Sequence, residues 1–257
     1  MTHLWRFLTL MLGFILAIYA GVLLHECGHA LGALLHGDRV FAVVMEIPAP
    51  AGYPQTSATS WMLSWGGIFF GSLFGLVPLL TTRFLPAAST RRFVCFLLGA
   101  VCLAHNGLYL SVGSITPFSD VENIIRYGAP RPLLFVLGLP LLAGFSAAVA
   151  RALAMVGTRP GDSAWKWITL VEFAMMPLPA AAVIATLVAP GKQHGATILP
   201  MVLWAAVHAA VFAFAALRAR TAAADTARLP QRWTVPLWLF AGAALIIVLE
   251  WRICRPV

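Results

Sequence analysis

Residues 25 to 29 read His25-Glu26-Cys27-Gly28-His29, two histidines four apart with a glutamate following the first. On an α-helix, positions four apart stack one turn above another on the same side. Both imidazoles can therefore reach one metal ion, while Glu26 falls about 100° round the helix beside the coordination position left open. That pattern suits hydrolysis by zinc. The ion polarises a carbonyl and lowers the pKa of a bound water towards about 7. Glu26 takes that water's proton and passes it to the leaving amine. In a chain with this content of histidine and glutamate, chance supplies about 0.004 copies of His-Glu-x-x-His.

A catalytic zinc takes three protein ligands and a water, so a third side chain is required. Asp38 and Glu46 follow closely, but past the helix end or in an extended stretch. His36 lies about two turns beyond His29, too far along the axis to join the same ion. Glu172 and His208 sit in apolar segments with nothing tying them to the motif. His105 and Asn106, in "CLAHNGLYL", fall at a depth where they can face the first helix. Asp120 is the preferred ligand. It follows Pro117 on irregular backbone between two apolar segments, where polar backbone can line a water-holding pocket. An N-cap is its other reading, because "SDVEN" before "IIRY" fits a helix start. Spacing alone weighs the two equally.

The elements that must position these residues are apolar. The composition is 61% hydrophobic and 10% charged, against roughly 25% charged in an average soluble domain. The expected fold is an all-α polytopic membrane protein, one integral-membrane domain over residues 1–257. Seven transmembrane helices are predicted, at about 4–36, 61–81, 93–113, 133–156, 167–189, 196–217 and 235–253. The first apolar run continues into the histidine motif with no small-residue cleavage site before it, so it reads as a helix and not as a secretory signal. After it, the β-branched run from Val40 to Ile47, turning at Pro48, Pro50 and Gly52, predicts a short β-ribbon. Gly67, Gly71 and Gly75 recur every four residues in the second helix, a pattern that reads as close helix packing. Cys27, Cys95, Cys102 and Cys254 form no CxxC pair and read as small packing residues.

A net charge of +8 does not mark a nucleic-acid binder here, because the basic residues sit between apolar segments. Counted by alternate connections, 11 Lys and Arg fall on the N-terminal side of the first helix and 6 on the other. The positive-inside bias then places the N-terminus in the cytoplasm and the histidine motif towards the outer face.

"HECGHALGALLHGDRV" resembles the HExGH helix of the site-2 protease family, the intramembrane zinc metalloproteases. "PAPAGYPQTSATSWMLSWGGIFFGSLFG" is similar to the Gly-Tyr ribbon and Gly-rich second helix of its smaller, M50B-like branch. The resemblance covers roughly residues 10–125. It implies a metalloprotease core over 1–132, additional helices over 133–257, and a single zinc ion as cofactor. It also implies a multi-pass protein of the cell membrane that hydrolyses a peptide bond in or near a transmembrane segment of another membrane protein. By position, His25 and His29 would be ligands and Glu26 the catalytic base.

The family's third ligand is the Asp of an Asn-x-x-Pro-x-x-x-x-Asp-Gly pattern. Here "SITPFSDV" puts Ser114 in place of Asn, brings Asp120 three residues after Pro117 instead of five, and has Val121 in place of Gly. The resemblance still favours Asp120. Asn106, Asn123 and His105 are the candidates for the missing Asn's contact with substrate or oxyanion. The family carries its motif helix from outside inward, opposite to the charge count. Two rival functions remain, a zinc-binding pseudoprotease that does not cut and a metal or proton transporter. Transporters often show repeated halves, and no repeat is evident here.

Overall fold

The computed structural model describes residues 2–46, 51–57, 60–117, 119–157 and 227–253. Six α-helices and one hairpin fall within them: α1 (Thr2–His36), β1 (Val40–Glu46), β2 (Ala51–Thr56), α2 (Trp61–Thr81), α3 (Thr90–Ile115), α4 (Ser119–Arg126), α5 (Arg131–Val156) and α6 (Thr234–Ile253). Among the described residues four helices are long and apolar enough to cross a membrane, over Leu4–His36, Trp61–Phe84, Thr90–Ile115 and Arg131–Val156. The apolar part of α6, Thr234–Val248, is shorter. The helices expected at 167–189 and 196–217, with Glu172 and His208, lie outside the described residues, as does Cys254.

Local sequence explains where the elements begin and end. Ser60 and Ser89 cap α2 and α3, each side chain accepting from a backbone N–H three residues on, at 3.1 and 3.2 Å. Past the end of α1, Gly37 takes φ +92°, and the N–H groups of Gly37 and Asp38 return to the carbonyls of Leu34 and Ala33. This paired closure is the Schellman motif, which needs a residue tolerant of the left-handed region. α4 closes in the same way at Gly128.

The ribbon is an antiparallel hairpin in which Val43 faces Pro54, Val44 faces Tyr53 and Met45 faces Gly52, with an irregularity between Val40 and Ala42. Gly52, expected in the turn, therefore lies inside the second strand. Pro54 lacks an N–H, which a two-stranded sheet tolerates because each strand has an outer edge. The hairpin packs beside α1.

Close approaches give the helix directions. Gly13 of α1 meets Phe93 and Leu97 of α3, and Gly21 meets Val101 and Cys102, so α1 and α3 run the same way. Gly28 meets Gly66 and Gly32 meets Met62, so α2 runs against α1. One apolar core joins Leu10 and Phe14 of α1 to Phe93 and Leu97 of α3 and to Phe145 and Leu153 of α5. A second, smaller one holds Ile68, Leu110, Val121, Ile124 and Leu134. It pins the short helix α4 to the bundle through Val121 and Ile124, both fully buried.

Candidate metal centre

His25, His29 and Asp120 converge. Nε2 of His25 and Nε2 of His29 stand 3.0 Å apart, and each lies 3.1 Å from Oδ2 of Asp120. The two histidines are buried, and the Asp120 side chain is 17% exposed. Among the described residues this trio is the one group of three His, Cys, Asp or Glu side chains placed to hold a metal ion. α1 supplies the imidazoles from adjacent turns and α4 brings the carboxylate from 95 residues beyond His25 and 91 beyond His29. Glu26, also buried, stands within electrostatic reach of all three.

The outer edge of each imidazole fixes which atom faces inward. His29 Nδ1 lies 2.6 Å from the Leu63 carbonyl, an acceptor only, so Nδ1 carries the proton. The N–H of Gly67 points at the same nitrogen from 3.3 Å, a longer contact from a group already within the α2 backbone ladder. The shorter contact decides. His25 Nδ1 lies 3.0 Å from Asn106 Oδ1, again an acceptor. Both neutral rings thus turn a bare Nε2 lone pair towards Asp120.

Two imidazole lone pairs and a carboxylate oxygen at mutual distances of 3.0–3.1 Å repel one another unless a positive charge sits with them. That charge is a metal ion or a proton on one ring. The same physics acts on Asp120: burial opposes its ionisation, but when no metal is bound and the proton sits at Nε2, the charge of His29 and the hydrogen bonds from the rings outweigh burial. They hold the carboxyl well below the usual carboxylate range. A cation fits.

The surroundings are shaped for these rings. A Cβ at Gly67 would strike the His29 imidazole, and one at Gly71 would come within 2.9 Å of Asn106 Nδ2 and 3.4 Å of His25 Nδ1. These glycines, read from sequence as helix packing, serve the site directly. Gly75 does bring α2 against Cys102 and Gly99 of α3, as that reading expects, and Gly28, Gly32 and Gly66 bring the α1 and α2 backbones together. Tyr109 stacks on His25 with ring centroids 5.6 Å apart and planes 17° from parallel, and it hydrogen-bonds Ser119, the residue before Asp120.

Of the remaining expected site residues, His105 lies with its ring centroid 4.5 Å from that of His25 and offers no atom to the trio. Asn106 is buried, with Oδ1 facing His25 and Nδ2 donating to Ser72 at 3.1 Å, so it holds the His25 ring in place. Asn123 is exposed on α4 and takes no part in the hydrogen bonds of the cluster. Ser114, at the family's Asn position, is buried and donates to the Ser111 carbonyl at 2.7 Å. His36 pairs with Asp38 at 3.4 Å at the end of α1, apart from the trio.

Sequence reasoning passed over Leu63, Ser72, Tyr109 and Ser119. A backbone carbonyl has no sequence signal, and a serine or tyrosine in an apolar helix has none until its neighbours are known. No protein-family model matches the chain, and neither does any curated protein or solved structure.

Proposed function

We propose that the chain is an intramembrane zinc metalloprotease, a multi-pass protein of the cell membrane with the seven helices read from its sequence. One observation carries the reading: two buried imidazoles and a carboxylate turn bare donor atoms to one point, beside a buried glutamate, among helices of membrane-spanning length. Nitrogen and oxygen ligands of a tetrahedral zinc lie about 2.0–2.1 Å from it and so about 3.3 Å from each other. The trio's edges of 3.0–3.1 Å come close to that. The donor set alone also suits other first-row metals; the glutamate between the histidines favours hydrolytic zinc.

Zinc held there supplies a Lewis acid for a peptide carbonyl and acidifies a water. The chain's residues do the rest. His25 and His29 stay in one tautomer through Asn106 and the Leu63 carbonyl, and Glu26 takes the proton from the water and delivers it to the leaving amine. The substrate is a transmembrane segment of another membrane protein, locally unwound, because helical hydrogen bonds otherwise hide its peptide groups. The ribbon pairs with the unwound strand through its main chain.

The test is zinc content and cleavage of single-span transmembrane peptides by protein purified in mild detergent. Wild type holds about one zinc per chain, and Asp120→Ala and His25→Ala lose it. Glu26→Gln keeps the metal and loses cleavage by at least about 100-fold. Wild type without zinc, or Glu26→Gln cutting at the wild-type rate, sinks the proposal. The hydrogen bond that occupies Ser114 favours a second reading, a zinc-binding protein that does not cut. Zinc retained without cleavage of any peptide in the panel is its signature.

A further inference from the structure

We propose that Ser72, on α2 and one residue removed from the candidate ligands, orients the Asn106 amide so that His25 can give Nε2 to a metal. The polarity runs from backbone to ligand in one direction. The Ser72 hydroxyl donates to the Ile68 carbonyl at 2.6 Å, which commits its single proton and leaves its lone pairs to accept. Asn106 answers with its amide N–H, Nδ2 to Oγ at 3.1 Å. With the amide nitrogen held there, Oδ1 must face His25 Nδ1, at 3.0 Å. Only a donor satisfies that oxygen. A ring that gives Nε2, the atom 3.1 Å from Asp120, to a metal keeps its proton on Nδ1 and so supplies that donor.

Remove the hydroxyl and nothing in this chain of contacts distinguishes the two orientations of the Asn106 amide. Flipped, the amide sets an NH₂ against Nδ1 and drives the proton to Nε2, into the position a metal needs. His29 has no such dependence, because a backbone carbonyl holds its Nδ1 directly. Ser72 is thus a positioning residue acting through Asn106. The inference rests on the metal centre and is independent of proteolysis.

The test is zinc affinity, titrated against a competing chelator, with Ser72→Thr restoring the wild-type value. Ser72→Ala weakens zinc about 10-fold and Asn106→Leu about 10- to 100-fold, as for other groups that orient metal ligands. Adding Ser72→Ala to Asn106→Leu costs nothing more. Wild-type affinity in Ser72→Ala overturns the relay, and so does an equal loss of affinity with and without the Asn106 amide. Wild type that binds no zinc overturns the metal reading and the relay built on it together.

Discussion

Gly67→Ala separates helix propensity from the metal centre. Alanine in place of a mid-helix glycine normally stabilises by up to about 1 kcal/mol. At this position the new Cβ would lie 2.5 Å from His29 Cε1 and 2.7 Å from Cδ2, where carbon atoms prefer about 3.5–4.0 Å. The ring must give way by about 1 Å. It has little room, being held at Nδ1 by Leu63, 2.6 Å away, and at Nε2 by His25 and Asp120. Overpacking of this kind costs about 1–3 kcal/mol, so the metal-free protein ends near neutral or destabilised by about 2 kcal/mol.

The effect on metal is larger. Ligand distances tolerate only about ±0.2 Å, so a 1 Å displacement of one of three ligands weakens zinc by at least about 100-fold, or about 2.8 kcal/mol. The assay pairs chelator competition with thermal unfolding in detergent. Gly242→Ala is the control, since its Cβ would meet Leu16 at an ordinary 3.4 Å. It keeps wild-type affinity and gains up to about 1 kcal/mol. Gly67→Ala that binds zinc like wild type refutes the reasoning, because His29 would then not be the ligand this packing describes.

Zinc removal lowers the unfolding temperature, and by mass action a ligand at 1,000 times its Kd contributes about 4 kcal/mol. Asp120→Ala abolishes that chelator sensitivity, which calorimetry with and without chelator checks. In metal-free protein the ionised Asp120 carboxylate has a pKa held below its unfolded value of about 3.9. Its stabilisation is therefore complete above that pH and is lost as pH falls through the lower, folded pKa. Acid unfolding curves of Asp120→Asn lack this component. On the ribbon, Ala42→Pro removes a strand N–H and lowers peptide cleavage at unchanged zinc content. Cleavage that persists at the wild-type rate removes strand pairing from the mechanism.

The parts of the fold legible in sequence are those written in local pattern. Helices α1, α2, α3, α5 and α6 follow from apolar runs and begin or end within three residues of expectation. The histidine pair follows from helical spacing alone. What escaped depends on contacts distant in sequence. Gly67 and Gly71 look like any small-residue stripe until α1 sets His29 and His25 against them. Asn106 was visible as a polar residue in an apolar helix, but its partners decide its role. It has both a ring N–H and a serine hydroxyl to satisfy, 81 and 34 residues away. Pattern reveals which residues are out of place in lipid and is silent about what they touch.

Asp120 is open to both ligand and N-cap in the sequence, and the structure places it inside the first turn of α4, after Ser119, and not at the N-cap. "SDVEN" does begin a helix, α4, with Asp120 and Glu122 in its first turn, where negative charge complements the exposed N–H groups. The same start aims the carboxylate at His25 and His29, because Ser119 takes φ +49°, a left-handed conformation that only a locally constrained non-glycine residue keeps. Strain of that kind costs about 1–3 kcal/mol and persists where the surroundings over-determine it. Here Val121 and Ile124 anchor α4 in the smaller core, and Tyr109 holds Ser119 from α3 while stacking on His25. Pro117 ends α3's continuation, the strained serine turns the chain, and two buried aliphatics lock the turn. The carboxylate arrives at the imidazoles as a consequence of how α4 begins, so any change that relaxes this start moves the third donor of the candidate metal centre.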